Sequence, residues 1–309
     1  MTPNTKIKVI GVGGSGGNAV SRMKKCKIQG VELIAINSDA QDLKKIRADQ
    51  KIRIGRKLTQ GLGTGMNPEI GKRAAEEQRE EIQEVLKDSD LVFVTCGEGG
   101  GTGSGASPIV AEISKNLGIL TVAVVTKPFS FEGQTRMRIA EASIRKLKEK
   151  VDSLIVIEND KLLENLDPKT TLLNAFWICD DILRQAVQGI SDLITLPGII
   201  NVDFANVKTI LKDSGTALFG IGRAKGAGRA ENAIKMAISS PLLTISPKGA
   251  RGILFNVSGG KDISLSEIEE IEEIITQEIN PEAKVIFGAV QDEKLKKGEI
   301  KVTVIITGF

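Results

Sequence analysis

Apolar positions in the first half of the chain fall into short runs separated by helical patterns. Six runs read as strands, at 7–12, 31–37, 51–54, 91–96, 120–126 and 153–157. Apolar residues at helical spacing between them predict helices near 18–25, 68–86, 108–117 and 135–150. Strands alternating with helices predict a parallel sheet with crossover helices. Asn67 before Pro68 marks a helix start, because a cap acceptor precedes a residue whose missing N–H costs nothing there. Between Pro168 and Pro197 no proline intervenes, and Leu172, Leu173, Phe176, Ile178, Ile182, Leu183, Val187, Ile190, Leu193 and Ile194 recur on several faces, predicting one long buried helix. Roughly 24 helical residues extend about 36 Å, enough to separate and connect two domains.

Beyond it the rhythm changes, with strands expected at 217–221, 252–257, 284–289 and 301–306 and helices at 229–239 and 264–279. Ile268, Ile271 and Ile274 share one helix face and leave the intervening glutamates outside, so that acidic run reads as a solvated face and not a metal site. The expected fold class is α/β: a parallel-sheet, Rossmann-like domain over 1–170, a connecting helix over 171–197 and a smaller α/β domain over 198–309.

A length of 309 residues is sufficient for two such domains. The 42 basic and 39 acidic residues nearly cancel to a formal +3, which argues against a nucleic-acid or anionic-membrane surface. Residues 1–6 contain no apolar signal-like stretch, and no later run approaches the roughly 20 residues that span a bilayer. Cys26, Cys96 and Cys179 are odd in number and far apart, as reduced thiols in a cytosol would be. The absence of histidine removes Ser-His and Cys-His nucleophiles and the commonest zinc ligand.

Candidate chemistry centres on glycine. Gly99-Gly100-Gly101-Thr102-Gly103-Ser104-Gly105 follows the strand pattern Leu91-Val92-Phe93-Val94 and precedes a helix-like segment from Ser107. Backbone N–H groups at such a helix start, with the helix dipole, form a phosphate cradle. A Gly/Ser linker would join polar flanks, and these flanks are periodic and apolar. Gly11-x-Gly13-x-x-Gly16 also fits the dinucleotide fingerprint of a Rossmann NAD-dependent oxidoreductase, with Asp39 as the ribose acid. That reading leaves the glycines at 61–65 and 99–105 without a ligand group to hold. No Walker A motif occurs, so phosphate charge has to be met by backbone N–H groups, a metal and Arg136.

The GGGTGSG stretch resembles the signature of the tubulin and FtsZ superfamily. Further matches narrow the resemblance to the FtsZ family of bacterial cell-division GTPases: Ile10 to Ala19, Asn37 to Gln41, Gly61 to Gly65, Thr126 to Phe129 with Phe131-Glu132-Gly133, Val187 to Ile190, Asn201 to Ala205 and Ala237 to Leu243. The resemblance runs from about Ile7 to the last residue. It implies binding of GTP and GDP, with Mg2+ held mainly through the nucleotide phosphates. It implies that Gly14, Ser15, Gly16, Gly17 and Asn18 line the phosphates and base, and that Gly101, Thr102 and Gly103 hold the phosphate tail. Glu132 and Arg136 would contact the ribose and phosphates, Phe176 would stack on guanine, and Asp180 would accept from its N1 and N2 donors. Phe176 and Asp180, four apart, share one helix face, which suits a ring and a carboxylate serving one base. Without the glycine stretches, a core phenylalanine and a surface acid would be the better reading.

The resemblance also implies that water is activated by the segment after the long helix, here Asn201-Val202-Asp203-Phe204-Ala205-Asn206. About 30 Å of helix separates Phe176 from Pro197, whereas a general base works within one hydrogen bond or one water of its target. The acid is therefore expected to act on a neighbouring subunit's nucleotide, in a head-to-tail filament of the cytoplasmic division site. Asp203 could equally cap a following helix, and Asn201 could serve a turn. Asn206 stands where the family usually has a second acid, and an amide accepts no proton. Slowed hydrolysis is the expectation, with a scaffold that binds GTP and barely hydrolyses it as the alternative. Family members continue through a linker to a short peptide that binds membrane-tethering partners, and nothing like it follows Phe309, as in a truncated core or an atypical member.

Overall fold

The structure, a computed structural model, describes residues 5–163, 167, 169–196, 198–240, 247–292 and 295–309. Pro168 and Pro197, used above to bound the long helix, and Pro241 to Leu243 of one family-like stretch lie outside the described residues. Contacts divide the chain into two units, Met1–Gln188 and Gly189–Phe309.

In the first unit β1 (Ile7–Val12), β2 (Val31–Asn37), β3 (Gln50–Arg53), β4 (Leu91–Gly97), β5 (Leu120–Lys127) and β6 (Ser153–Glu158) form a sheet in the order β3-β2-β1-β4-β5-β6. Every pair is parallel. The connections are α1 (Gly13–Lys25), α2 (Ala40–Lys45), α3 (Pro68–Glu77), α4 (Arg79–Leu86), α5 (Gly101–Asn116), a 3-10 turn at Ser130–Glu132, and α6 (Gln134–Lys148). After β6 come α7 (Asn159–Leu163) and the 24-residue α8 (Leu172–Thr195), which continues into the second unit.

The central strands β4 and β5 are buried along all but their last residue because helices cover both faces, as parallel sheets require. Val92, Val94, Ala123 and Val125 pack with Ile82, Leu86, Ala106 and Val110 in one buried cluster. Each fully buried branched side chain is worth about 1.5 to 3 kcal/mol. Strand order reverses between β1 and β4, and a sheet of this kind opens its ligand crevice at the carboxyl ends of those two strands. That crevice is where both glycine-rich stretches begin.

Several boundaries differ from the sequence expectation. α5 starts at Gly101 and not near Pro108, so the glycine stretch is itself the first two turns of a helix and Pro108 lies inside it. An internal proline withholds the donor owed to the carbonyl four residues back. Ser143 of α6 supplies it, donating its hydroxyl to the Ser104 carbonyl at 2.8 Å. α1 likewise starts at Gly13, not at Asn18. The helix expected over 68–86 is two helices, broken at Gln78, whose side-chain oxygen accepts the Gly55 N–H at 2.5 Å. The long helix is not buried throughout: Leu172, Leu173, Phe176 and Trp177 at its start are exposed, while Ala175, Cys179, Leu183, Ala186, Val187 and Ile190 make its buried stripe.

The second unit orders β7 (Gly198–Ile200), β8 (Gly215–Lys225), β9 (Gly252–Gly259), β10 (Lys284–Gln291) and β11 (Glu299–Thr307) as β8-β11-β9-β10-β7. β9 and β10 run parallel and the other pairs antiparallel. Its helices are α9 (Phe204–Leu211), α10 (Arg229–Ile238) and α11 (Leu265–Glu278). Leu218, Ile234, Phe255, Ile271, Ile275 and Val302 meet in its core. α11 begins with a reciprocal cap: Glu267 N–H donates to Ser264 Oγ, and Ser264 N–H donates to Glu267. Ile268 and Ile271 face inward as expected, and among the described residues no cluster of three or more His, Cys, Asp or Glu could hold a metal.

Candidate nucleotide site

α1 and α5 both start directly behind a central strand, and neither has a side-chain cap or an acid in its first turn. Elsewhere Asp39, Asn67, Asp203 and Ser264 cap α2, α3, α9 and α11 through their side chains. The leading N–H groups of α1 and α5 have no intrahelical acceptor, and the dipoles add positive field there. The two starts lie against each other. A Cβ on Gly13, whose φ is +72°, would come 3.0 Å from the Gly103 nitrogen.

Beside them lies a cleft of 510 Å³ lined by Gly14, Thr102, Asn37, Asp39, Asp42, Lys45 and the 62–65 segment. Thr102 Oγ1 bonds Ser38 Oγ at 2.7 Å and Thr64 Oγ1 at 3.3 Å, joining three segments at its floor. Asp42 accepts from the Asn37 amide at 2.8 Å. Asn37, Asp39, Asp42, Lys45 and Thr64 were not among the residues assigned to the site from sequence. Asn37, Asp39 and Thr64 fall within the family-like stretches 37–41 and 61–65, whereas Asp42 and Lys45 lie outside them and carry no sequence signal. Asp39, the acid a dinucleotide site would need, spends one carboxylate oxygen on the N–H groups of Gln41 and Asp42, both at 2.9 Å.

The glycines divide by what surrounds them. Gly101 and Gly105 fit α5 against α3: a Cβ on either would strike Thr64 Oγ1 or the backbone at Met66 to Lys72. Gly103 abuts the Gly97 carbonyl, Gly16 the Thr95 carbonyl and Gly17 the Ile46 side chain. Gly100 alone in its run faces open space, and Gly14 meets only Asp42.

Of the residues expected at the base, Asp180 is tied to α1 through Arg22, and Phe176 packs on Phe129. Arg22 lies one turn beyond Asn18 on the same face. Its guanidinium donates to Asp180 at 3.1 Å and sits 4.8 Å over the Trp177 ring. Burial pushes the Asp180 carboxyl up to about 6, with Arg22 opposing the shift. The neighbouring Cys179 thiol is pushed up to about 12 by burial and by Asp180. Phe176 meets Phe129 edge-on at 5.3 Å, and Phe129 stacks on Phe131 at 4.9 Å. Glu132 accepts the Phe129 N–H at 2.9 Å and pairs with Arg136 at 2.6 Å. Ser15 approaches Gly97 across the crevice. Arg22, Trp177 and Phe129 were not assigned from sequence, and only their contacts reveal them.

Asn201, Asp203 and Asn206 belong to the second unit. The Asn201 side chain accepts the Gly198 N–H at 2.7 Å, and Asp203 caps α9 by accepting the Asn206 N–H at 2.9 Å. The turn and cap roles that sequence offered as alternatives are therefore both realised, with Asp203 and Asn206 exposed.

A doubly wound sheet with two uncapped helix starts at its reversal point defines a nucleotide-binding α/β protein without a Walker lysine. The model of the tubulin/FtsZ family GTPase domain matches residues 6–167, and that of the FtsZ family C-terminal domain matches 215–309. FtsZ of M. jannaschii, solved as an empty dimer, is 48% identical with a TM-score of 0.94, over 98% of this chain and 88% of its own. CetZ2 of Haloferax volcanii, a GTPγS-bound protofilament, has a TM-score of 0.83 at 21% identity over 98% of this chain and 92% of its own. CetZ1 from the same organism, a GDP-bound monomer, has 0.85 at 22% over 99% and 94%. The two CetZ structures share the fold. The chain belongs to the FtsZ branch of the tubulin/FtsZ family. It is accordingly a cytoskeletal GTPase that binds GTP and GDP. Among the described residues no helix is long and apolar enough to cross a membrane.

Proposed function

We propose that this chain assembles head to tail into filaments at the cytoplasmic division site, and that each contact completes a GTPase site. The observation that carries the reading is the meeting of the α1 and α5 starts, at Gly13 and Gly103, beside the cleft. Triphosphate would lie over the N–H groups of Gly14 to Gly17 and Gly101 to Gly103. Thr102, Glu132 and Arg136 would flank it, with guanine between Phe176, Asn18 and Asp180. The oxygen-rich lining at Asn37, Asp39 and Asp42 suits a hard cation, and Mg2+ held mainly by the phosphates would neutralise developing charge there. The division 1–170, 171–197 and 198–309 describes the working parts: nucleotide domain, connecting helix and activating domain.

Asp203 would orient the attacking water on the adjacent subunit's nucleotide, with Asn201 and Asn206 beside it. The 24 residues of α8, about 36 Å, support this reach argument. Turnover per subunit should rise steeply with protein concentration in GTP and magnesium, and a flat specific activity from the dilute range upward defeats the reading. Mixing sharpens the test: a Gly103 variant that cannot bind GTP but keeps Asp203 should activate a neighbour lacking Asp203. A second reading, a GTP-dependent scaffold with little hydrolysis, draws support from the capping duty of Asp203 and from the amide at Asn206. The same assay separates the two.

A further inference from the structure

Glu98 joins β4 to the glycine stretch and is 4% exposed. Its N–H donates to the Thr126 carbonyl at 2.9 Å, and the next residue, Gly99, has a φ of +95°. The Gly99 N–H in turn donates to Ser104 Oγ at 2.9 Å, so the carboxyl hangs from the strap that starts α5. Cys96 Sγ lies 3.4 Å from one carboxyl oxygen. The other, Oε2, is buried without a partner, as is Ser107 Oγ. Among the described residues no cation faces the group. From β4 it meets Cys96, whose own thiol is held protonated by burial, from α5 Ser104 and Ser107, and from α6 Ser143. Arg136, nearest on α6 through its backbone at Gly99, spends its guanidinium on Glu132. An ionised carboxylate in such a place is strongly disfavoured. Burial accordingly raises its pKa, while the surrounding hydroxyls offset part of the rise.

We propose that Glu98 is a positioning residue of the nucleotide site, holding the start of α5 in its binding shape as an uncharged acid, and that ionisation of this carboxyl weakens the grip on nucleotide phosphates. The charge would sit beneath the N–H groups that the phosphates use and would compete for the same dipole field. Linkage makes the effect reciprocal: bound nucleotide holds the proton on Glu98. The inference rests on the 99–105 stretch being the phosphate site.

GDP affinity of wild type, Glu98→Gln and Glu98→Met is measured by calorimetry from about pH 5.5 to about pH 8.5. Titration of GDP itself and of Asp180 is common to all three and cancels in the ratio. The ratio of wild-type to variant Kd should rise with pH by roughly tenfold, the equivalent of one pK unit of coupling. Both variants lack the titrating group, so if the glutamine form fails to fold the methionine form carries the comparison. A pH-independent ratio overturns the proposal, as a merely structural Glu98 would shift the Kd equally at every pH. Gly100→Asp places charge in open space on the same strap. If it leaves GDP binding unchanged, the phosphate site is elsewhere. If it weakens binding while the ratio stays flat, the site stands and Glu98 has no part in it.

Discussion

Ser143 donates its hydroxyl to the carbonyl of Ser104 at 2.8 Å, and that carbonyl is the one Pro108 leaves without a helical donor. The proline inside α5 is tolerated because a neighbouring helix replaces the missing bond. Ser143→Ala should leave a buried acceptor unsatisfied and cost about 1 to 3 kcal/mol. Thermal denaturation reads the loss, and Ser143→Thr, which keeps the hydroxyl, should restore much of it.

The two kinds of glycine at 99–105 predict opposite outcomes for one substitution. Gly105→Ala drives a methyl into the backbone at Pro68 and should destabilise by about 1 to 3 kcal/mol, the usual range for overpacking. Gly100→Ala meets open space and should leave the melting temperature nearly unchanged. No stability loss in either variant would overturn the packing role of Gly105 and leave the glycines serving only a phosphate.

Asp180 should make stability and nucleotide binding respond to pH in opposite senses. Its carboxyl is raised from 3.8 to about 6 in the folded chain, so the native state takes up a proton between those values. Its contribution to stability is full below 3.8 and is lost as pH rises through about 6. In the proposed site Asp180 would read guanine in its charged form. GTP affinity should therefore decline as pH falls below about 6, and Asp180→Asn should remove that decline and lower the preference for guanine over adenine. Loss of the charge-assisted bond costs about 1.5 to 3 kcal/mol of binding. Unchanged GTP affinity in Asp180→Ala places the base elsewhere.

At α9 the chemical test is separable from the cap. Asparagine caps as well as aspartate, so Asp203→Asn should keep stability and abolish turnover. Asn206→Asp adds charge in the first turn of α9, where the helix field favours it, and should speed steady-state phosphate release by roughly 10²-fold, the low end for general-base help. Filament lifetime by light scattering should shorten with it. If Asn206→Asp changes nothing while Asp203→Asn is inactive, the acid at 203 works alone.

What the sequence discloses follows from how local each signal is. β1 and β2 begin and end where expected because an apolar run between polar flanks has few other solutions. Asn67 caps α3 as its place before Pro68 implies, accepting the Glu69 N–H at 2.9 Å. The start of α5 is illegible, since its three glycines and a proline argue against a helix and only contact with α3 and Ser143 overrides them. The three residues of β7 are too few to carry a period. At the site, the glycines and Thr102 could be named from the chain, whereas Arg22 could not: its partners Trp177 and Asp180 are more than 150 residues away in sequence.

The hydroxyl of Thr102 has one proton to give and two lone pairs to fill. With Ser38 and Thr64 both in reach, its proton can point to either while the cleft stands open. A ligand oxygen that claims that proton removes the choice: Ser38 and Thr64 must then both turn their own protons toward Thr102. Arrival at one atom would thus fix the polarity of hydrogen bonds in three separate stretches of chain, and one of these stretches carries Leu62, whose side chain stands 83% exposed two residues from Thr64.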